Sequence, residues 1–483
     1  MFLQLDGEGA TYQQLTRALK AAILDGSLGA GTRLPPTRAL AQELGVSRIT
    51  VLSAYDQLRA EGYLQSRVGS GSYVSELQIT PPLRAPQADA IVTRSRYAQR
   101  ARVHSDRTIG GRHRGLRFNL QYGEVSGNPS LNHVWGRELA RAAAYTSLKR
   151  ATSEGLPALR EQVCRYLANR RGLRASPDDV LIVNGSQQAF ALIARVLLDE
   201  GDPVVLEEPH YFAMWQAFAA HGASMGSVRT DSEGLVCAEL PEASPRLVCV
   251  TPSHQFPLGP AMSLTRRLEL LRYAEKHACW IVEDDYDSEF RYDSQPLAAL
   301  RSLDQGDRVI YVGTFSKVLF GSLRLGYMVL PAALRKDFVD AKYLSDMGGQ
   351  SIEQTALAHF MGSGAFERHL LNVGKTLKKR REALLEGLHQ CAGDRVRIAD
   401  SAAGMHVVAW LPGYDHAQFD ELIQHAQDRG LGLYPITPCY HHRPRTPGLL
   451  LGYCGLPESE LREAMRLFGA CLDAIDVRRL ETA

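Results

Sequence analysis

Apolar positions recur at helical spacing through the first sixty residues. After Thr11, the residues Leu15, Leu19, Ile23 and Leu24 form one stripe, which Gly26, Gly29 and Gly31 end. Pro36 and Thr37 open a second short helix over 37–44, and Gly45 turns the chain after it. Ser47 carries a hydroxyl suited to capping a third helix over 48–61, with Val51, Tyr55 and Leu58 on its inner face. Two short helices joined by a glycine-containing turn predict a helix-turn-helix. The segments Gly62-Tyr63-Leu64 and Gly69-Ser70-Gly71-Ser72-Tyr73-Val74 then predict a two-stranded hairpin with a glycine tip, a wing.

The pattern changes twice further on. Residues 75–115 carry Pro81, Pro82 and Pro86 and no sustained period, which predicts a linker. From Leu116, helical periods alternate with short apolar runs at 180–183, 204–208, 247–250, 281–285 and 309–312. That alternation predicts an α/β domain with a mainly parallel sheet. A smaller α/β lobe is expected to start near Gly374, after a long interdomain helix, and to run through Gly404-Met405-His406-Val407-Val408-Ala409-Trp410 to the C-terminus. The expected division is a winged helix-turn-helix at 8–76, an arginine-rich linker at 77–115 and an α/β domain at 116–483.

Composition adds a few exclusions. A chain of 483 residues, 45% hydrophobic and 22% charged, is ordinary globular protein with more than one core. No apolar run approaches the roughly 18 residues that span a bilayer. The first residues show no basic-then-apolar leader, so a cytoplasmic location is expected. The net charge of +2 rules out a polyelectrolyte as a whole, yet Arg96, Arg100, Arg102, Arg107, Arg112 and Arg114 face a lone acid, Asp106. Such a stretch either adds salt-sensitive affinity for a polyanion or is simply solvated. The 8 cysteines are scattered with no C-x-x-C pair, which fits reduced thiols. Cys439, His441 and His442 match no strong metal spacing, and no metal site is expected.

The candidate chemistry gathers at two strand ends. Behind the apolar run 309–312 comes Gly313-Thr314-Phe315-Ser316-Lys317, then Arg324-Leu325-Gly326-Tyr327. A lysine at the end of a core strand is a Schiff-base nucleophile if its surroundings keep the amine neutral. Thr314, Ser316 and Arg324 are donors of the kind that hold a phosphate. The run 281–285 ends in Asp284 and is followed by Tyr286, an acid for a pyridinium nitrogen and a phenol for the neighbouring ring oxygen. Pyridoxal 5′-phosphate (PLP) needs that whole set. A third strand turns through Asn184-Gly185-Ser186-Gln187-Gln188 into a helix, and Ser186 and Gln187 at its start suit a phosphate. Any one of these motifs alone is weak evidence; their order along the chain carries the argument.

Two resemblances follow from these residues. Gly31-Thr32-Arg33-Leu34-Pro35-Pro36-Thr37-Arg38, Leu44-Gly45-Val46-Ser47-Arg48 and the wing together resemble the GntR-type DNA-binding domain almost throughout. The resemblance implies DNA contacts by Arg38 and Arg48, with Ser47 and Thr50 beside them, Gly69 at the wing and Arg33 on a phosphate. The lysine and aspartate segments resemble fold type I aminotransferases. That implies PLP as cofactor, Lys317 bonded to its aldehyde, Asp284 on the ring nitrogen, Tyr286 on the phenolic oxygen, Arg324 on the phosphate and Tyr211 stacked on the ring. Both halves in this order, with Ser253-His254-Gln255-Phe256-Pro257 and Glu283-Asp284-Asp285-Tyr286-Asp287-Ser288-Glu289-Phe290, resemble the MocR subfamily of transcription regulators.

The subfamily implies a head-to-tail homodimer on double-stranded operator DNA. It implies an effector that is an amine, an amino acid or PLP itself. The alternative is a working aminotransferase with an accessory DNA-binding domain, and residual half-reactions of that type fit either reading. Three departures bear on the effector. Aminotransferases carry Asn-Pro-x-Gly where this chain has Pro257-Leu258-Gly259, and either His254 or Gln255 upstream is a candidate substitute, with no choice between them. Leu449-Leu450-Leu451-Gly452-Tyr453 stands where they place an arginine for the substrate carboxylate; Arg443 and Arg445 lie nearby in sequence. The GABA-responsive members carry an arginine shortly after the stacking tyrosine, whereas this chain has Phe212, Ala213 and Met214.

Overall fold

The structure, a computed structural model, describes residues 5–67, 71–76, 93–105, 115–123, 129–145, 152–292, 297–399 and 402–482. The chain divides into two compact units, Met1–Thr93 and Arg94–Ala483. In the first, α1 (Thr11–Leu24), α2 (Thr37–Leu44) and α3 (Arg48–Ala60) precede a hairpin of β1 (Leu64–Arg67) and β2 (Gly71–Val74). The apolar stripes meet in one core of Leu15, Leu19, Ile23, Leu40, Val51, Tyr55, Leu58, Leu64 and Val74. Gly45 takes φ 65° after α2, the left-handed turn that glycine adopts at little steric cost. Ser47 caps α3: its Oγ accepts from the Thr50 N–H at 3.1 Å. The strands pair antiparallel, Leu64 opposite Val74. Gly69, the wing residue, lies outside the described residues.

The second unit begins with α4 (Arg96–Ser105), inside the stretch that lacks apolar periodicity. No residue of this helix is buried, so no core stripe announces it. Ion pairs and backbone acceptors hold it instead. The Arg100 Nε and Nη2 donate to Ala220 O and His221 O, and Arg96 and Arg100 both reach Glu200. Two of the arginines expected to be free for a polyanion are thus bonded to protein; Arg107, Arg112 and Arg114 fall outside the described residues.

Next come β3 (Phe118–Asn119), α5 (Pro129–Tyr145), α6 (Pro157–Arg171), β4 (Val180–Val183), α7 (Ser186–Leu197), β5 (Pro203–Glu208), α8 (Phe212–His221), β6 (Ser224–Asp231), β7 (Gly234–Leu235), β8 (Leu247–Val250), α9 (Leu264–Lys276), β9 (Trp280–Asp285), β10 (Val309–Thr314) and β11 (Gly326–Val329). The main sheet runs β4-β11-β10-β9-β8-β5-β6-β7. Strands β10, β9, β8, β5 and β6 are parallel neighbours, and β11 runs antiparallel between β4 and β10. The runs are continuously apolar because both faces are covered. Leu181 and Val183 pack with α7 and α8 residues on one side, Val180 and Ile182 with α6 residues on the other.

The helices α10 (Arg335–Asp346), α11 (Ser351–Gly362) and α12 (Ala365–Ala392) lead to the smaller lobe. Gly374 lies within α12, so that helix reaches well into the lobe expected to begin there. A three-stranded antiparallel sheet of β12 (Arg397–Ala399), β13 (His406–Trp410) and β15 (Gly448–Gly452) is joined by α13 (His416–Asp428), β14 (Leu431–Gly432) and α14 (Glu458–Thr482).

One close approach fixes the lysine turn. A Cβ on Gly313, at the end of β10, would sit 2.3 Å from the Tyr327 ring of β11. Tyr327 is buried and has nowhere to go. We expect Gly313→Ala to cost about 1–3 kcal/mol by overpacking. Gly136→Ala, in open space on α5, should be neutral or slightly stabilising. Thermal melts of the two variants side by side check this.

Candidate cofactor site and nucleic-acid interface

Parallel strands bring their carboxyl ends together, and loops leaving those ends form the crevice of an open α/β sheet. Val312 pairs with Asp284 and Gly313 with Asp285, so the ends of β9 and β10 lie side by side. A cavity of ≈ 120 Å³ opens there. Its lining includes Lys317, Asp284, Tyr286, Tyr211, Ser186, Thr314, Ser316 and Arg324, eight of the residues singled out in the sequence. Gln187 is exposed on the first turn of α7 and is not among the lining residues.

The Lys317 Nζ lies 4.2 Å from the centre of the Tyr122 ring. It makes no ion pair or hydrogen bond among the described residues. Burial pushes its pKa down, although Asp287 and Asp284 pull the other way. Gly123 (φ 84°) lets the backbone pass: a Cβ there would be 2.3 Å from Nζ. Asp284 is buried and likewise has no partner among the described residues. Burial first, and Asp285 second, raise its carboxyl to about 8. The site therefore holds a carboxyl that keeps its proton and an amine shifted towards its neutral form.

Beside them stands a buried trio whose mutual contacts were not legible in the sequence. His254 Nδ1 is 2.9 Å from Asp287 Oδ1 and 2.8 Å from the Tyr286 hydroxyl oxygen. A proton on that nitrogen, shared between Asp287 and the phenol oxygen, leaves the Tyr286 O–H as a donor. Gly404 leaves room for the His254 ring, since a Cβ there would sit 2.1 Å from its Cε1. Gln255 is spent on structure: its Nε2 donates to Pro209 O and Phe256 O, and its Oε1 accepts from Leu258 N.

The other end of the cavity is an anion cradle. The Ser316 Oγ is buried with no hydrogen-bond partner. The Arg324 guanidinium lies at the N-terminus of α7, where a Cβ on Gly185 would sit 3.1 Å from its Nη2. A helix N-terminus, two hydroxyls and a guanidinium are what a phosphate requires. Phe256 and Tyr211 pack edge to face at 5.3 Å and wall the cavity with Tyr122.

A clamp behind the site was also not legible. Arg171, the last residue of α6, donates to Asp285 Oδ2 at 2.7 Å and to Ser253 Oγ, and also to Leu297 O. It ties the end of β9 to the loop after β8. Arg443 and Arg445 are exposed and absent from the cavity lining; Arg443 reaches Asp420 at 3.6 Å. Leu450 is fully buried with Phe256, Tyr286, Ile436 and Cys439. Cys439, His441 and His442 hold a loop: the backbone N–H groups of His441 and His442 donate to the Glu208 carboxylate. Among the described residues no group of three or more His, Cys, Asp or Glu is arranged to hold a metal.

In the first unit, Arg33, Arg38 and Arg48 are exposed and form no ion pair among the described residues. The Arg48 Nε donates to Thr37 Oγ1 at 3.5 Å, which brings the starts of α2 and α3 together. Ser47 Oγ and Thr50 Oγ1 lie 2.8 Å apart at the first turn of α3. Arg33 lies against Gly71 at the tip end of the hairpin.

The profile of the family "Bacterial regulatory proteins, gntR family" matches residues 11–74, and that of "Aminotransferase class I and II" matches residues 118–467. A probable rhizopine catabolism regulatory protein, MocR, of Rhizobium meliloti is 37% identical over 99% of this chain and 96% of its own. This chain belongs to the MocR-type transcription regulators. The HTH-type transcriptional regulator TauR of Rhodobacter capsulatus is 35% identical over 80% of this chain and 81% of its own. The crystal structure of LysN, an α-aminoadipate aminotransferase from Thermus thermophilus complexed with N-(5′-phosphopyridoxyl)-L-leucine, matches with TM-score 0.71 and 28% identity, over 80% of this chain and 98% of that one. The cofactor of this domain is PLP. No helix among the described residues is long and apolar enough to cross a membrane.

The raised Asp284 carboxyl gives a test in the cofactor-free protein. Its folded value, about 8, stands above the ordinary 3.8. Its contribution to stability is therefore complete below about pH 4 and is lost as the pH rises through about 8. Asp284→Asn cannot ionise. In urea unfolding, the cofactor-free variant should gain on the parent steadily from pH 4 to pH 8; a pH-independent difference would contradict the assignment.

Proposed function

We propose that this MocR-type regulator senses a small-molecule effector at Lys317 and converts its presence into a change of operator affinity. The observation that carries the reading is one cavity, with an anion cradle, lined by a Lys317 amine and a buried Asp284 carboxyl that have no hydrogen-bond partner among the described residues, the carboxyl pushed up to about 8 by burial. When bound, PLP supplies an aldehyde and an electron-withdrawing ring. The chain supplies the rest. Asp284 would hold a proton at the ring nitrogen. The Tyr286 O–H would donate to the phenolic oxygen, with His254, itself held by Asp287, against the Tyr286 oxygen. Ser186, Thr314, Ser316 and Arg324, with the backbone at Gln187, would hold the phosphate. Tyr211 would pack against the ring, and the Lys317 amine would be the nucleophile.

Among the described lining residues the cations are Lys317 and Arg324, both assigned to the cofactor, and Leu450, in the stretch where aminotransferases place the carboxylate arginine, is fully buried outside the lining. That supports an amine without a neighbouring carboxylate, or PLP itself, over an α-amino acid, which would be poorly oriented. DNA is gripped by Arg38 and Arg48 with Ser47 and Thr50, by Arg33 on a phosphate and by the wing at Gly69. The working form is a head-to-tail homodimer in the cytoplasm, reading paired half-sites.

The likeness to aminotransferases favours a second reading, a working enzyme with a DNA-binding appendage. One experiment separates them. Operator binding by PLP-loaded protein is followed while primary amines, amino acids and free PLP are titrated. A sensor shifts its affinity by about 5–150-fold with one class, and Lys317→Ala abolishes the shift. Multiple turnovers of an amino donor with a keto acid, with operator affinity unmoved, would support the enzyme instead.

A further inference from the structure

The third helix exposes apolar surface that its own fold does not use. Val51, Ala54, Tyr55 and Leu58 are buried in the core of the first unit. On the opposite face Ile49 is 74% exposed and Leu52, one turn on, is 43% exposed. A β-branched residue in the first turn of a helix brings no propensity gain. Single exposed apolar residues are common, but this pair lies on the helix that a helix-turn-helix inserts in the major groove. It is flanked by exposed Arg48, with Arg38 brought close through the Arg48–Thr37 bond. The hydroxyls of Ser47 and Thr50 bond to each other at the cap. The first turn of α3 thus presents, beside its cation, a bare hydrocarbon surface.

In the major groove one base-pair edge is apolar, the C5-methyl group of thymine. We propose that Ile49 reads a thymine methyl in each operator half-site, with Leu52 extending the contact along the groove. The proposal rests on the DNA-binding role of the first unit and is independent of the cofactor site. It makes Ile49 a specificity-determining residue, distinct from the arginines that bind guanine edges or phosphates.

The test uses full-length, PLP-loaded protein. Preferred sites are selected from a random duplex library, and each thymine of the selected site is replaced in turn by deoxyuridine, which removes only the methyl group. At one position per half-site the replacement should weaken binding by about fourfold, what burial of one methyl is worth. Ile49→Ser should bind the unmodified site about as weakly as the parent binds the deoxyuridine site, and should no longer distinguish the two. Ile49→Val should keep most of the discrimination. The salt dependence of binding should be the same in all three proteins, because no phosphate contact has changed. The proposal is overturned if no thymine position separates the parent from Ile49→Ser. It is equally overturned if Ile49→Ser selects the same sites with unchanged affinity.

Discussion

Charge kept from water organises the large unit. Five carboxyl side chains lie within the seven residues from Glu283 to Glu289; four are buried and Glu289 is half-buried. Four have been given partners. Glu283 accepts from the N–H groups of Leu300 and Arg301, Asp285 from Arg171 and Tyr311, Asp287 faces His254, and Glu289 accepts from Tyr166. Asp284 has none among the described residues, and it is the one that lines the cavity. A buried polar group without a partner costs free energy, a cost that a ligand in the cavity would offset at Asp284. The Ser316 hydroxyl is likewise buried with no partner among the described residues.

The sheet explains why these groups meet. Parallel pairing of β8, β9 and β10 stacks their ends in one row, and antiparallel β11 returns Arg324 to the start of α7. Helix α8 touches two features of the unit at once. Tyr211, immediately before it, lines the cavity, while the carbonyls of its last turn, Ala220 and His221, accept from Arg100 of α4. Cavity and linker helix are therefore separated by ten residues of helix.

Much of this was legible because local signals agreed with the tertiary outcome. The stripe of Leu15, Leu19 and Ile23, the Ser47 cap and the apolar strands are local features, and the structure forms them as the pattern predicts. Lys317, Asp284, Tyr286 and Arg324 were legible because each follows a recognisable strand or turn. What escaped depends on contacts between distant segments. His254 and Asp287 are 33 residues apart, Arg171 and Asp285 are 114 apart, and Tyr122 reaches Lys317 from the far side of the cavity. The helix α4 escaped for another reason: ion pairs and helix-end carbonyls hold it, and neither leaves a periodic trace. Gln187 was singled out for its place at a helix start, where its side chain is exposed and it is not among the residues that line the cavity.

The central claim is that the amine at position 317, and no other in the chain, bonds the cofactor aldehyde. The most direct measurement is mass mapping of the PLP-saturated protein after borohydride reduction. The account predicts a phosphopyridoxyl mass on the peptide carrying Lys317, at about one per chain. An unmodified Lys317, or a label spread over surface lysines, would contradict it.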